Sequence, residues 1–304
     1  MKVVFFGSTD FSLPIIQSIH RGFTIAGVVT SRPKPKGRGL KQSMPQIAVW
    51  AQGAGIPVHM PEDPNSEAFV NELTAIAPDL YVLSAYGHIL RKKLLDVPRH
   101  GGINIHPSLL PQYRGAAPIQ RAIMAGEQKT GITVISMDEE IDHGDILAQR
   151  SIPIEMDDTY GSLARKLADL GARMIPETLR AVASDTCQPV RQSGDVSYAP
   201  KLKKEEMKID WREGARMTCN RIRALSPHPG ARAVFRDKEL IITRAQVVDQ
   251  ELPPGVLHVE NRKLYVGAGE GSLVLLEVKP EGRRNIPVLD FINGYRVRKG
   301  ETLR

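Results

Sequence analysis

Residues 102–120 read Gly-Ile-Asn-Ile-His-Pro-Ser-Leu-Leu-Pro-Gln-Tyr-Arg-Gly-Ala-Ala-Pro-Ile-Gln. The first part alternates, with Ile103 and Ile105 on one side and Asn104 and His106 on the other. In an extended strand, side chains i and i+2 share a face, so the two polar groups point the same way. Pro107 ends the strand, because it has no N–H for a ladder. Two polar groups at a strand end occupy the place where open α/β sheets put their ligands. An Asn amide can donate to a developing oxyanion, and a His can carry a proton. A strand end with two solvated polar residues would show the same short pattern, so the flanking sequence has to decide.

Outward from this strand, apolar runs and helical periodicities alternate. Lys2 to Gly7 predicts a first buried strand, Phe11 to His20 a helix and Thr24 to Thr30 a second strand. The turn after the first strand reads Gly7-Ser8-Thr9-Asp10-Phe11-Ser12, which lacks the second and third glycines of a dinucleotide-binding turn. Helices are predicted at 45–54, 65–77, 116–125 and 159–184, and strands at 56–60, 79–86, 131–137 and 146–154, the last at a sheet edge. This is the pattern of an α/β fold with a doubly wound, mostly parallel sheet. Ser31 to Lys41 stands apart: Arg32, Lys34, Lys36, Arg38 and Lys41 with two prolines, two glycines and no acid predict neither helix nor strand. Beyond Gln188 the pattern changes. Residues 188–208 are polar and predict a linker; after a helix near 213–223, short strands at 231–235, 240–248, 255–258, 263–266 and 273–278 predict a small C-terminal β-barrel. The expected organisation is a catalytic domain over 1–187, a linker over 188–208 and a second domain over 209–304.

Charge follows that division. Residues 201–304 carry 21 Lys and Arg against 14 Asp and Glu, which accounts for the whole net charge of +7. Such asymmetry points to an anionic partner, nucleic acid first, or to a basic surface with no partner. Hydrophobic residues make up 41%, enough for ordinary cores. No apolar run approaches the roughly 20 residues of a membrane span, and Val3 to Phe6 is too short for a signal-peptide core, so a cytoplasmic protein is expected. Cys187 and Cys219 are far apart and form no metal-ligand spacing, so no metal site is expected.

The run Asn104-x-His106-Pro107-Ser108-Leu109-Leu110-Pro111, then Tyr113-Arg114-Gly115, then Pro118-Ile119-Gln120, resembles the signature of formyltransferases that use 10-formyltetrahydrofolate. The family's third element, an Asp-x-Gly-Asp loop, is matched by Asp142-His143-Gly144-Asp145. The resemblance implies catalytic roles for Asn104, His106 and Asp142, and folate contacts at Ser108, Leu109, Leu110 and Pro111. It also implies that Gly87 to Leu90 borders the pteridine pocket, although His88 stands where the family usually has an apolar residue. Arg32-Pro33 and Gly37-Arg38-Gly39 resemble the basic insertion of the branch that acts on initiator methionyl-tRNA, and the segment from Tyr198 to Glu206 resembles that branch's linker. The implied tRNA contacts are Arg38, Lys203 and Lys204, and the implied C-terminal domain is a barrel of the oligonucleotide-binding type. A monomer is expected.

The chemistry is coherent with these residues. Charge develops on the formyl oxygen as an amine attacks, and donors must converge there. A carboxylate such as Asp142 would orient His106. The acidic run Asp138-Glu139-Glu140 is expected to be a solvated loop with at most backbone contacts to the pteridine, and Asp145 either to cap its own loop or to take a direct part. An amino-sugar nucleotide or another small amine would need the same three residues, so the acceptor rests on the basic loop, the linker and the charge of the last third. A decayed enzyme acting only as an RNA-binding protein is disfavoured by the intact trio, and an enzyme that merely hydrolyses the formyl donor would not need a basic second domain.

Overall fold

A computed structural model of the chain describes residues 1–36 and 41–304. Arg38, expected to contact tRNA, lies outside the described residues. The chain divides into two compact units. The first comprises 1–118, 130–152 and 164–199; the second comprises 119–129, 153–163 and 200–304.

The first unit is built on strands β1 (Lys2–Gly7), β2 (Thr24–Val29), β5 (Val58–His59), β6 (Leu80–Ser84), β7 (Gly102–His106), β8 (Lys129–Ser136) and β9 (Ile146–Pro153). They form one seven-stranded sheet in the order β5-β2-β1-β6-β7-β8-β9. The pairs β2–β5, β1–β2, β1–β6 and β6–β7 are parallel, and β8 runs antiparallel to β7. The sheet is thus doubly wound and mostly parallel, with β9 at its edge. Buried strands here read as continuous apolar runs because both faces are covered. On one face Val4, Phe6 and Tyr81 cluster with Phe69 and Leu73 of α3 (Glu67–Ile76) and Leu94 and Leu95 of α4 (Lys92–Leu95). On the other, Ile15 of α1 (Ser12–His20) and Ile105 of β7 both lie against Gly171 of α6 (Tyr160–Ala183), where a Cβ would stand 3.3 Å from each. Helix α2 (Gln46–Gly53) buries Ile47, Ala48 and Ala51, and α5 (Pro118–Ala125) follows the signature run in sequence.

Part of the basic stretch departs from expectation. Lys34–Lys36 (β3) pairs antiparallel with Lys41–Ser43 (β4). A two-stranded ribbon asks only for backbone partners, and each strand keeps one free edge, where Pro35 is tolerated without its N–H.

The second unit carries α7 (Ala215–Leu225) and an antiparallel sheet in the order β10 (Ala231–Phe235), β11 (Lys238–Val248), β14 (Ser272–Pro280), β13 (Lys263–Gly267), β12 (Leu257–Glu260), with β15 (Ile286–Pro287) beside β14. β10 and β12 are outermost. Residues 300–304 reach both: Arg304 exchanges two backbone hydrogen bonds with Val234, Leu257 donates to Glu301, and Leu303 donates to Gly255. Trp211, Ile222, Phe235, Leu257 and Leu275 are buried together with Phe291 of α8 (Val288–Tyr295), whose ring meets Phe235 edge-on at 5.4 Å. The unit is discontinuous. Gly161 donates to Ser226 O, Ile154 to Gln128 O, and Arg223 to the carbonyls of Glu155 and Asp158. Residues 188–199 of the expected linker belong to the first unit and 200–208 to the second.

Candidate active site

Strand β7 delivers Asn104 and His106 from alternate positions that share a face, while Ile103 and Ile105 are buried on the other. The loop after β8 delivers Asp142. The three meet: Asn104 Nδ2 donates to Asp142 Oδ1 at 3.0 Å, and His106 Nδ1 lies 3.4 Å from the same oxygen. His106 is only 3% exposed. Its Nε2 is 3.0 Å from the carbonyl of Tyr113. That oxygen can only accept, so Nε2 carries a proton in this bond; the Asp142 carboxylate also only accepts, so Nδ1 carries one toward it and the ring is protonated. The second carboxylate oxygen accepts the Gly115 N–H at 2.9 Å. Burial alone raises the carboxyl pKa of Asp142. The hydrogen bond and charge of His106, the Gly115 amide and the Asn104 amide outweigh burial and hold it below the ordinary carboxylate value.

The backbone around this centre is held in sparsely populated conformations. Tyr113 and Asp142 have φ of 60° and 53°, both left-handed. Gly115 has φ of 121°, and a Cβ there would lie 2.9 Å from the carbonyl oxygen of Ala199. Only glycine lets its N–H reach Asp142 while that strand of chain runs so close.

The Asp-x-Gly-Asp loop has its own constraint. A Cβ on Gly144 would lie 1.8 Å from Ser136 O, so the loop cannot fold back onto β8 with any larger residue. Gly144→Ala should therefore cost about 1–3 kcal/mol, as overpacking typically does. Urea unfolding should show a lower midpoint at unchanged slope; an unchanged midpoint would mean that the loop is free to move away.

The signature loop divides in two. Ser108 is fully buried and donates to Gln112 O at 2.6 Å, and Leu110 is buried with its N–H on Thr133 Oγ1. Both fix the loop. Leu109 and Pro111 are half-buried and can still offer apolar contact. Asp138 accepts the Glu140 N–H and pairs with His143 Nδ1 at 2.8 Å, which orders the acidic run as a turn. A cleft of about 400 Å³ opens beside the Asp142 loop, lined by Arg114, Asp138, His143, Asp145, Arg191 and Gln192 among others. Lys203 and Lys204 are exposed on the second unit, beside a 3-10 turn at Glu205–Met207. Sequence reading missed Gly115, Tyr113 and Gln192 as members of the centre. Among the described residues no group of three or more His, Cys, Asp or Glu could hold a metal ion, and no helix is long and apolar enough to cross a membrane.

The chain is similar to known proteins along most of its length. Residues 1–179 match the family model described as formyl transferase, and residues 201–296 match the formyl transferase C-terminal domain. A methionyl-tRNA formyltransferase of Koribacter versatilis is 42% identical over 307 residues, covering 100% of this chain and 98% of that protein. One of Dictyoglomus turgidum is 41% identical, covering 99% and 98%. Among solved structures, an N-formyltransferase from Helicobacter canadensis, in complex with folinic acid and dTDP-3-aminofucose, has the same fold with a TM-score of 0.69 at 16% identity, covering 90% of this chain and 98% of that one. Phosphoribosylglycinamide formyltransferase of Bacillus halodurans matches 60% of this chain and 96% of its own, with a TM-score of 0.52 and 31% identity. With both domain models matched in order and relatives aligned end to end, the chain belongs to the formyl transferase family.

Proposed function

We propose that this chain transfers the formyl group of 10-formyltetrahydrofolate to the α-amine of methionine on initiator methionyl-tRNA. The observation that carries the reading is end-to-end similarity, at 38–42% identity, to proteins named methionyl-tRNA formyltransferase. In the reaction the amine nitrogen bonds to the formyl carbon, the bond from that carbon to folate N10 breaks, and a proton passes from the amine to the leaving nitrogen. Asn104 donates to the formyl oxygen as it becomes an oxyanion. His106, with Asp142 on Nδ1 stabilising the protonated ring, gives its Nε2 proton to the leaving folate nitrogen and takes the amine proton in its place. Leu109 and Pro111 contact the folate, while Ser108 and Leu110 hold the loop that presents them.

In this reading residues 1–187 form the catalytic domain, 188–208 the connection and 209–304 a barrel of the oligonucleotide-binding type. Support for the barrel comes from residues 300–304, which bond to both outer strands of its sheet. Arg38, Lys203 and Lys204 contact the tRNA, and the enzyme works in the cytoplasm, where charged initiator tRNA is made.

The test supplies 10-formyltetrahydrofolate with either methionyl initiator tRNA or an amino-sugar nucleotide. Formylation of the tRNA-borne methionine is expected, with little or no transfer to the sugar; transfer to the sugar alone would overturn the reading. Phosphate contacts make binding weaken as salt rises, by about 0.9 in log–log slope per neutralised phosphate. Because the second unit includes residues 119–129 and 153–163, removing everything after Pro200 would strip those segments of their partners. Charge is better altered in the full chain. Lys203→Glu with Lys204→Glu should weaken tRNA binding and make the salt slope shallower by about one to two. An unchanged slope would remove both lysines from the tRNA surface.

A further inference from the structure

We propose that Gln192 is a positioning residue of the transfer site, clamping the two loops that enclose His106. The inference deepens the function proposed above and rests on it for its catalytic consequence. Gln192 uses both ends of its amide. Its Nε2 donates to Asp142 O at 2.9 Å and to Gly144 O at 2.8 Å. Its Oε1 accepts from Arg114 Nε at 3.2 Å and Nη2 at 2.7 Å. The orientation of the amide follows from its partners, since carbonyls only accept and a guanidinium only donates.

Each partner belongs to a loop that touches the catalytic cluster. Arg114 lies between Tyr113, whose carbonyl meets His106 Nε2, and Gly115, whose N–H reaches Asp142 Oδ2. Asp142 itself sits at φ of 53°, a conformation that persists only where its surroundings hold it. Two of the carbonyls of that strained loop end on one side-chain nitrogen. The segment bearing Gln192 is itself anchored. Val190 and Ile146 exchange backbone hydrogen bonds at 2.8 and 2.9 Å, Arg114 N–H reaches Ser197 O at 2.9 Å, and Ala199 N–H reaches Arg114 O at 2.7 Å. A fixed backbone thus presents one amide that ties the signature loop to the Asp142 loop.

The groups that face Asp142 are His106 and Asn104 from β7 and the Gly115 amide. Arg114, Asp138, His143, Asp145 and Arg191 line the adjoining cleft. If the clamp is released, the distances among the first three groups relax, and the carboxylate loses part of what keeps it ionised.

Gln192→Glu retains the shape and the acceptor for Arg114, but sets an oxygen against the carbonyls of Asp142 and Gly144. Gln192→Leu removes both halves of the clamp, and Arg114→Met removes one. In the full-length enzyme, Gln192→Glu and Gln192→Leu should lower kcat by about 10²-fold, the scale of a misplaced catalytic group, with KM for the formyl donor changed much less. Arg114→Met should fall between these and wild type. The Asp142 carboxyl, followed by carbon-13 NMR, should titrate at higher pH in both Gln192 variants, and the acid limb of kcat/KM should move with it. A role in stability alone would lower Tm and leave the titration and the kcat of folded molecules unchanged; that result would overturn the inference. Should wild type fail to formylate methionyl-tRNA, the proposed function falls. The Asp142 titration still decides whether Gln192 holds the loop, and an unchanged titration sinks the clamp whatever the substrate proves to be.

Discussion

Asn104→Ala and His106→Ala each lower the single-turnover rate of formyl transfer by about 10²–10³, the usual cost of losing one preorganised donor or proton carrier. The two side chains share a strand face, and both contact the same carboxylate oxygen of Asp142. Neither loss should be confined to its own contact. Removing the Asn104 amide takes a hydrogen bond from Asp142 Oδ1; removing the imidazole leaves the Tyr113 carbonyl and that same oxygen without it. The double variant should therefore be little slower than the worse single one, because residues that act as a unit are strongly non-additive. His106 is buried, so its alanine variant also leaves a cavity, and unfolding should be followed alongside the rate. Rates near wild type in folded single variants would refute the catalytic assignment. Rate losses that multiply in the double variant would separate the two residues and put different steps under their control.

The elements legible in the sequence were those whose apolar periodicity matches burial. β1, β2 and β6 are apolar runs covered on both faces, and α1 and α3 carry one apolar stripe each. The shared face of Asn104 and His106 followed from the two-residue period of a strand alone. Asp142 was reached only through the resemblance, since nothing in a loop's composition tells which of several acids will face a strand 38 residues earlier. Helix α8 shows a readable spacing in Val288, Phe291 and Ile292, but the sequence reading named no element beyond Val278. Lys34–Lys36 and Lys41–Ser43 form a ribbon that needs no apolar alternation, so no periodicity announces it. Gln192 was hidden for a different reason. Its role lies in contacts with residues 48, 50 and 78 positions away, and its local sequence is that of any polar connection.

Asp142→Asn is expected to reduce transfer by about 10³–10⁴, the scale seen when a carboxylate that orients a histidine becomes an amide. The backbone should survive, because asparagine adopts the left-handed region at least as readily as aspartate, and Asp142 has φ of 53°. The side chain has no such latitude. One carboxylate oxygen accepts from Asn104 and the other from the Gly115 N–H, while His106 faces the first. An amide offers a single acceptor oxygen, so its NH₂ must oppose either the Asn104 amide or the Gly115 N–H, and no carboxylate charge remains to stabilise a protonated His106. Stability should show the same origin through its pH dependence. The folded pKa of Asp142 is depressed, so its ionised form contributes stability at pH above the unfolded carboxyl value. That contribution fades as pH falls below about 4, the ordinary range of the group, and is lost once the folded value is passed. Wild type should therefore exceed Asp142→Asn in Tm most clearly near neutral pH, and the difference should shrink steadily in acid. A gap in Tm that stays constant with pH would show that the charge of Asp142 is not what binds the cluster together. Wild-type transfer by the asparagine variant at neutral pH would remove Asp142 from the mechanism and leave His106 to act without a carboxylate.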